Sequence, residues 1–154
     1  MKTENLYVKR ALSLVGTRYK HLGRDHAGID CLGLMFYAYE LPGDDTDEAR
    51  EAKALNRYYL QPRWRISKDD PLYVNVCDIL VRALTKHLVS IRLDQVAPGD
   101  TLLFRFKAKQ GLGDHVGIFV GNGQFVHSDF RKGVEKEALT QSIERRVVGA
   151  YRKS

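Results

Sequence analysis

The sequence is poor in cysteine, proline and tryptophan, with two, four and one of them among 154 residues. Two thiols, Cys31 and Cys77, are too few for a disulfide scaffold and make no metal site alone, so a reduced-thiol, cytoplasmic origin is expected. With four prolines and 13 glycines, collagen-like and low-complexity chains are excluded. No stretch approaches the roughly 20 apolar residues of a membrane-spanning helix. A secretory leader is not expected either, because the apolar run Ala11-Leu12-Ser13-Leu14-Val15 is short and Arg18 and Lys20 follow it. Synthesis in the cytoplasm, with delivery by another component if the protein acts outside, is the expectation.

What is present is an ordinary globular balance, 44% hydrophobic and 29% charged residues, at a length that fits one domain over residues 1–154. Lys and Arg number 25 against 19 Asp and Glu, and the net charge of +6 favours polyanionic partners at modest strength. Arg131, Lys132, Arg145 and Arg146 lack the aromatic interleaving of a nucleic-acid-binding motif and read as a solvated face. Neither nucleic acid nor membrane is expected as a partner.

The apolar periodicity predicts a first helix capped by Thr3, with Leu6, Ala11, Leu14 and Val15 turned inward, ending at Gly16. A second, buried helix starts near Cys31 and is closed by Leu41-Pro42-Gly43. Residues 44–93 read as a charge-rich helical insert. Within it Asp45 and Glu48 cap a helix through Tyr58, and Asp70-Pro71 opens another. There Leu72, Val76, Ile79, Leu80, Ala83, Leu84 and His87 form a core stripe, which makes Cys77 a packing residue. Beyond Val96 come short strands at 101–106, 116–120, 124–128 and 147–151, with Gly121-Asn122-Gly123 as a hairpin turn. Helices followed by an antiparallel meander predict an α+β domain with the helices on one face of the sheet.

Three residues could carry chemistry. Cys31 stands at a helix start, where free N–H groups and the helix dipole favour a thiolate. His115 opens a strand directly after Gly111-Leu112-Gly113-Asp114 and could serve as the base that a thiol needs. His127, across the hairpin, could accept from His115 and hold its tautomer. The plain structural alternatives are a small buried hydrophobe for the thiol and hydrogen-bonding core residues for the two histidines. His21, His26 and His87 have no motif partner, and no His/Cys/Asp set has the spacing of a zinc site, so neither metal nor another cofactor is expected. The glycine-rich turns lack the Lys-Ser/Thr pair of a phosphate loop.

Five blocks, taken together, carry a resemblance: Gly16-Thr17-Arg18-Tyr19, Asp30-Cys31-Leu32-Gly33-Leu34, Pro98-Gly99-Asp100-Thr101-Leu102-Leu103-Phe104, His115-Val116-Gly117-Ile118 and Phe125-Val126-His127. In order and spacing they resemble the NlpC-type cell-wall cysteine peptidases. They are most similar to the branch encoded with phage tails and gene transfer agents, where Asp-Cys-Leu-Gly-Leu and a tail like Gly149-Ala150-Tyr151-Arg152 recur.

The resemblance implies a papain-like fold with Cys31 as nucleophile, His115 as general base and His127 as the residue that orients it. It also implies that Tyr19 helps hold the oxyanion and that Asp30 holds the turn or binds a substrate amine. The implied substrate is the peptidoglycan stem peptide, typically its D-glutamyl to diamino-acid bond, and the implied partners are phage-tail-like structural proteins, with the enzyme carried on a virion or tail and acting at the wall. Leu32 in place of the commoner Ser, Leu22-Gly23 in place of a double glycine, and the long insert depart from the family pattern and bear on specificity. Two readings from other classes stand beside this one: an idle structural component of a tail tip, and an acyltransferase or amidase on a non-wall substrate.

Overall fold

A computed structural model describes residues 5–41, 67–109 and 111–154. The expected cap Thr3 and the expected helix 45–58 lie outside the described residues. Helix α1 (Leu6–Ser13) opens instead at Asn5, whose side chain accepts from the N–H groups of Tyr7 and Val8, the same capping chemistry two residues later. Ala11 and Leu14 are buried, but Leu6 and Val15 are 51% and 47% exposed. The helix stops a turn short of Gly16, so half of the expected stripe never faces the core.

Helix α2 (Cys31–Tyr39) buries Leu32, Leu34, Met35, Phe36, Ala38 and Tyr39, as befits a helix that is apolar all round. Each large side chain removed from water contributes about 1.5–3 kcal/mol. Helix α3 (Pro71–His87) begins on the expected proline and buries Ile79, Leu80, Ala83 and Leu84, while the side chains of Leu72 and Val76 lie outside the described residues. Tyr73 and Cys77 pack with Ile79 and Ala108.

Six strands form the main sheet: β3 (Leu88–Ile91), β4 (Thr101–Phe104), β5 (His115–Gly121), β6 (Gln124–Asp129), β7 (Gly133–Ala138) and β8 (Val147–Lys153). Their order is β3-β8-β4-β5-β6-β7, with every pair antiparallel. A small hairpin, β1 (Arg24–Asp25) with β2 (Gly28–Ile29), precedes α2. Neither strand of that hairpin is in the expected set, and in the main sheet two further strands depart from it. β3 corrects the all-helical insert, since the helical stripe gives way at Leu88 to an edge strand paired with β8. β7 carries Glu135, Lys136 and Glu137 because its outer edge is unpaired, and that charge hides it from an apolar pattern.

Alternation in the central strand β4 sends Leu103 to one face and Leu102 and Phe104 to the other. Leu103, Val116, Ile118 and Val126 pack under α1 and α2, the face on which helices were expected. Phe104, Leu102, Phe125 and Ala150 form a second core with Val96 and with Ile143 of the short helix α4 (Gln141–Glu144). One corner fastens helix to sheet. There the Tyr39 hydroxyl donates to the Gly99 carbonyl at 2.6 Å, and Arg152 grips Asp100 through two bonds of 2.9 Å. Burial pushes the Tyr39 phenol well above its usual range.

Candidate active site

The site is assembled from two sides, the start of α2 and the strands β5 to β7. Asp30 caps α2: its Oδ1 accepts from Gly33 N at 2.7 Å and from Arg24 Nη1 at 2.9 Å, and its Oδ2 accepts from Leu22 N at 2.8 Å. Those bonds hold the turn that presents Cys31. Gly33 is required there, because a Cβ at this position would stand 2.1 Å from the Gly23 carbonyl oxygen. Cys31 is the first residue of α2 and is 3% exposed. Tyr19 is bridged through its backbone to Ile29, two residues before Cys31.

On the other side His115 opens β5 with its ring edge-on to Phe106, 5.4 Å between centroids. Its Nε2 lies 2.9 Å from Nδ1 of His127 on β6, with the rings nearly perpendicular at 89°. Gly117 makes the room, since a Cβ there would come within 3.2 Å of His127 Cβ and 3.0 Å of the Val126 carbonyl. His127 Nε2 is in turn 2.7 Å from Oε2 of Glu137 and 3.6 Å from Oε1 of Glu135, both on β7. Burial first, and then neighbouring His115, hold His127 below the usual imidazole range, while the two glutamates oppose that shift. His127 is therefore neutral at neutral pH.

Tyr19, Asp30, Cys31, His115 and His127, the five residues singled out from the sequence, all line one cavity of about 310 Å³. Glu137, His21, Tyr73, Phe106 and Phe130 line it too. Two contributors escape a reading of the sequence. Asp114 accepts from the N–H groups of Phe106, Lys107 and Ala108, each at 2.8 Å, and from the Tyr73 hydroxyl at 2.9 Å, which shapes the wall next to His115. Only its place in a glycine-bounded turn hints at such a role. Glu137 gives no signal, because Glu135-Lys136-Glu137 reads as solvated charge. His127, Glu135 and Glu137 also bring possible metal-ligand atoms within 4.8 Å of one another, but the direct bond to Glu137 already engages Nε2 of His127.

A thiol at a helix start, sharing one cavity with a pair of hydrogen-bonded histidines on adjacent antiparallel strands, defines the class: a papain-like fold of the cysteine-peptidase type. The chain belongs to the NlpC/P60 family, whose model matches residues 16–152. Murein DD-endopeptidase MepH of Escherichia coli (strain K12) is 26% identical over 155 residues, covering 98% of this chain and 46% of that protein. The gamma-D-glutamyl-L-lysine dipeptidyl-peptidase of Bacillus subtilis (strain 168) is 25% identical over 145 residues, covering 90% of this chain and 37% of that one. The chain thus spans under half the length of these two relatives. Among solved structures, the NlpC/p60 domain of the peptidoglycan hydrolase SagA matches with a TM-score of 0.54 at 20% identity over 95% of each chain. An NlpC/P60 family protein from Bacillus cereus matches with a TM-score of 0.61 at 18% identity, over 96% of this chain and 39% of that one.

Proposed function

We propose that this chain is a cysteine peptidase that hydrolyses a peptide or isopeptide bond in the peptidoglycan stem peptide, namely the bond from D-glutamate to the diamino acid. The observation that carries the reading is the His115–His127 pair lining the same cavity as Cys31. His115 takes the thiol proton, and the Cys31 thiolate attacks the scissile carbonyl. Backbone N–H groups at the start of α2, with Tyr19 beside them, receive the oxyanion. Collapse of the tetrahedral adduct breaks the C–N bond as His115 returns its proton to the leaving amine, leaving a thioester on Cys31. Water, deprotonated by His115, then releases the acid and restores the thiol.

Two kinds of support point to the wall as substrate: the activities for which the relatives are named, and a net charge of +6 suited to an anionic polymer. We infer further that the enzyme travels on a phage-tail or gene-transfer-agent particle and opens the wall locally, with tail proteins as its partners. The Asp30-Cys31-Leu32-Gly33-Leu34 block and the closing Gly149-Ala150-Tyr151-Arg152 support this assignment. Mass spectrometry of purified sacculi is the test. Wild-type protein is expected to release muropeptides cut within the stem, and Cys31→Ala and His115→Ala, both folded, to release none. Full activity in either variant overturns the mechanism. Intact stems across several wall chemotypes overturn the substrate, and absence of the chain from purified tail-like particles overturns the delivery route.

A further inference from the structure

We propose that Glu137 is a positioning residue: its carboxylate sets the protons on both imidazoles, so that His115 presents an unprotonated nitrogen to Cys31. The proposal deepens the reading above and rests on it for the role of His115.

The argument is one of donors and acceptors. An ionised carboxylate only accepts, so the 2.7 Å contact from His127 Nε2 to Glu137 Oε2 requires the His127 proton to be on Nε2. A neutral imidazole carries one N–H, so Nδ1 of His127 is an acceptor. Its 2.9 Å contact to His115 Nε2 then requires the His115 proton to be on that nitrogen. Nδ1 of His115 is then the unprotonated nitrogen, and this is the one that can take the thiol proton. Once it has done so, the imidazolium is joined through His127 to a negative charge. With an apolar side chain at position 137, both tautomers of His127 become accessible. One of them turns His115 into a donor toward the thiol, an arrangement that cannot accept a proton.

The geometry singles out Glu137 from the other charges nearby. Glu135 sits on the same face of β7, but at 3.6 Å it is beyond hydrogen-bond distance of Nε2. Asp129 lies two residues along β6, and its Oδ1 accepts from the N–H groups of Arg131 and Lys132. Asp30 and Asp114 are committed to backbone N–H groups, Tyr73 donates its hydroxyl to Asp114, and Tyr19, His21, Lys107 and Cys31 complete the titratable lining of the cavity. Glu137 holds its position from an edge strand, fixed by the pairing of Phe125 with Glu137 and of His127 with Glu135.

The test needs no wall substrate, so it stands apart from the assignment of the bond cleaved. The chain has five histidines, few enough for ring ¹⁵N–¹H spectra of the whole protein to be assigned. Wild-type protein is expected to carry the neutral proton on Nε2 of both His115 and His127. Glu137→Leu is expected to abolish that preference at His127 and to move loss of the His115 imidazolium about one pH unit to the acid side. Glu137→Gln, whose amide oxygen still accepts, is expected to keep the His127 tautomer and to titrate between the two. Glu135→Gln is expected to leave the tautomers unchanged. Wild-type His127 with its proton on Nδ1 overturns the proposal, and so does a folded Glu137→Leu with wild-type tautomers and titration. If Glu137→Leu fails to fold, the wild-type and Glu137→Gln spectra decide alone. Where a stem-peptide substrate is turned over, the alkaline limb of kcat is expected to move with the His115 titration while KM is unchanged.

Discussion

The Ser128 hydroxyl donates to the Ile29 carbonyl at 2.7 Å, joining the strand that carries His127 to the turn that presents Cys31. Both residues are buried. The two halves of the site come from separate layers of the domain, and this bond sets the height of one against the other.

Ser128→Ala removes that tie without orphaning the carbonyl, which also accepts from Lys20 N at 3.2 Å. The expected stability cost is therefore only the net worth of one hydrogen bond, about 1 kcal/mol. Turnover on sacculi is expected to fall by more than that cost implies, because the thiol and the histidine pair lose their common register. Denaturant titration and muropeptide release, measured on the same sample, check both halves.

Gly33→Ala places a methyl group 2.1 Å from the Gly23 carbonyl, a backbone atom that cannot swing aside. Overpacking of this kind costs about 1–3 kcal/mol. The strain falls on the first turn of α2, so the Asp30 cap is expected to open and Cys31 to lose the N–H groups around it. Cys31 in this variant is expected to react with iodoacetamide at mildly acidic pH more slowly than in wild type. An unchanged rate would show that the close approach is dispensable.

Asp114→Ala leaves the N–H groups of Phe106, Lys107 and Ala108 and the Tyr73 hydroxyl without their common acceptor. A loss of about 3 kcal/mol is expected, since each unsatisfied buried donor costs about 1–3 kcal/mol and water reaches part of the loop. Hydrogen exchange at residues 106–108 is expected to quicken far more than exchange in β5 and β6. A uniform change across the sheet would contradict the local role.

His127 makes stability depend on pH in a known direction. Burial keeps its folded pKa below the ordinary value of 6.5, so the unfolded chain binds a proton that the folded chain refuses. The stability it contributes is complete above the ordinary value and is lost as pH falls through it toward the folded pKa. The slope is up to about 1.4 kcal/mol per pH unit for one proton. Urea midpoints are expected to fall on acidification from about pH 7.5 to 5.5 in wild type and to fall less in His127→Gln, since the ordinary imidazole value lies inside that window. Equal slopes in the two proteins would remove His127 as the source.

Much of the site is legible in the residues themselves. An aspartate, a cysteine and an apolar run announce a capped, buried helix that starts at the thiol. The hairpin turn, where Gly121, Asn122 and Gly123 all have positive φ, brings the strands of His115 and His127 side by side. Asn5 takes the capping role expected of Thr3 because it is an equally good cap, and its Nδ2 also donates to the Pro98 carbonyl at 2.8 Å, anchoring the helix start to the sheet. β3 is hidden because four residues following a long helix, two of them exposed, carry too little pattern to oppose it.

The sequence by itself determined which residue types stand at helix starts, strand starts and turns, because those choices rest on local backbone chemistry: caps, dipoles and positive φ. It therefore placed Cys31, His115 and His127 in their elements. Only the tertiary structure decided that Glu137, ten residues beyond His127 on a charged edge strand, meets His127 Nε2, and that Asp114 meets Tyr73 across 41 residues of chain. Such pairings arise from strand register and from the packing of α3 against a distant loop, which no local pattern encodes.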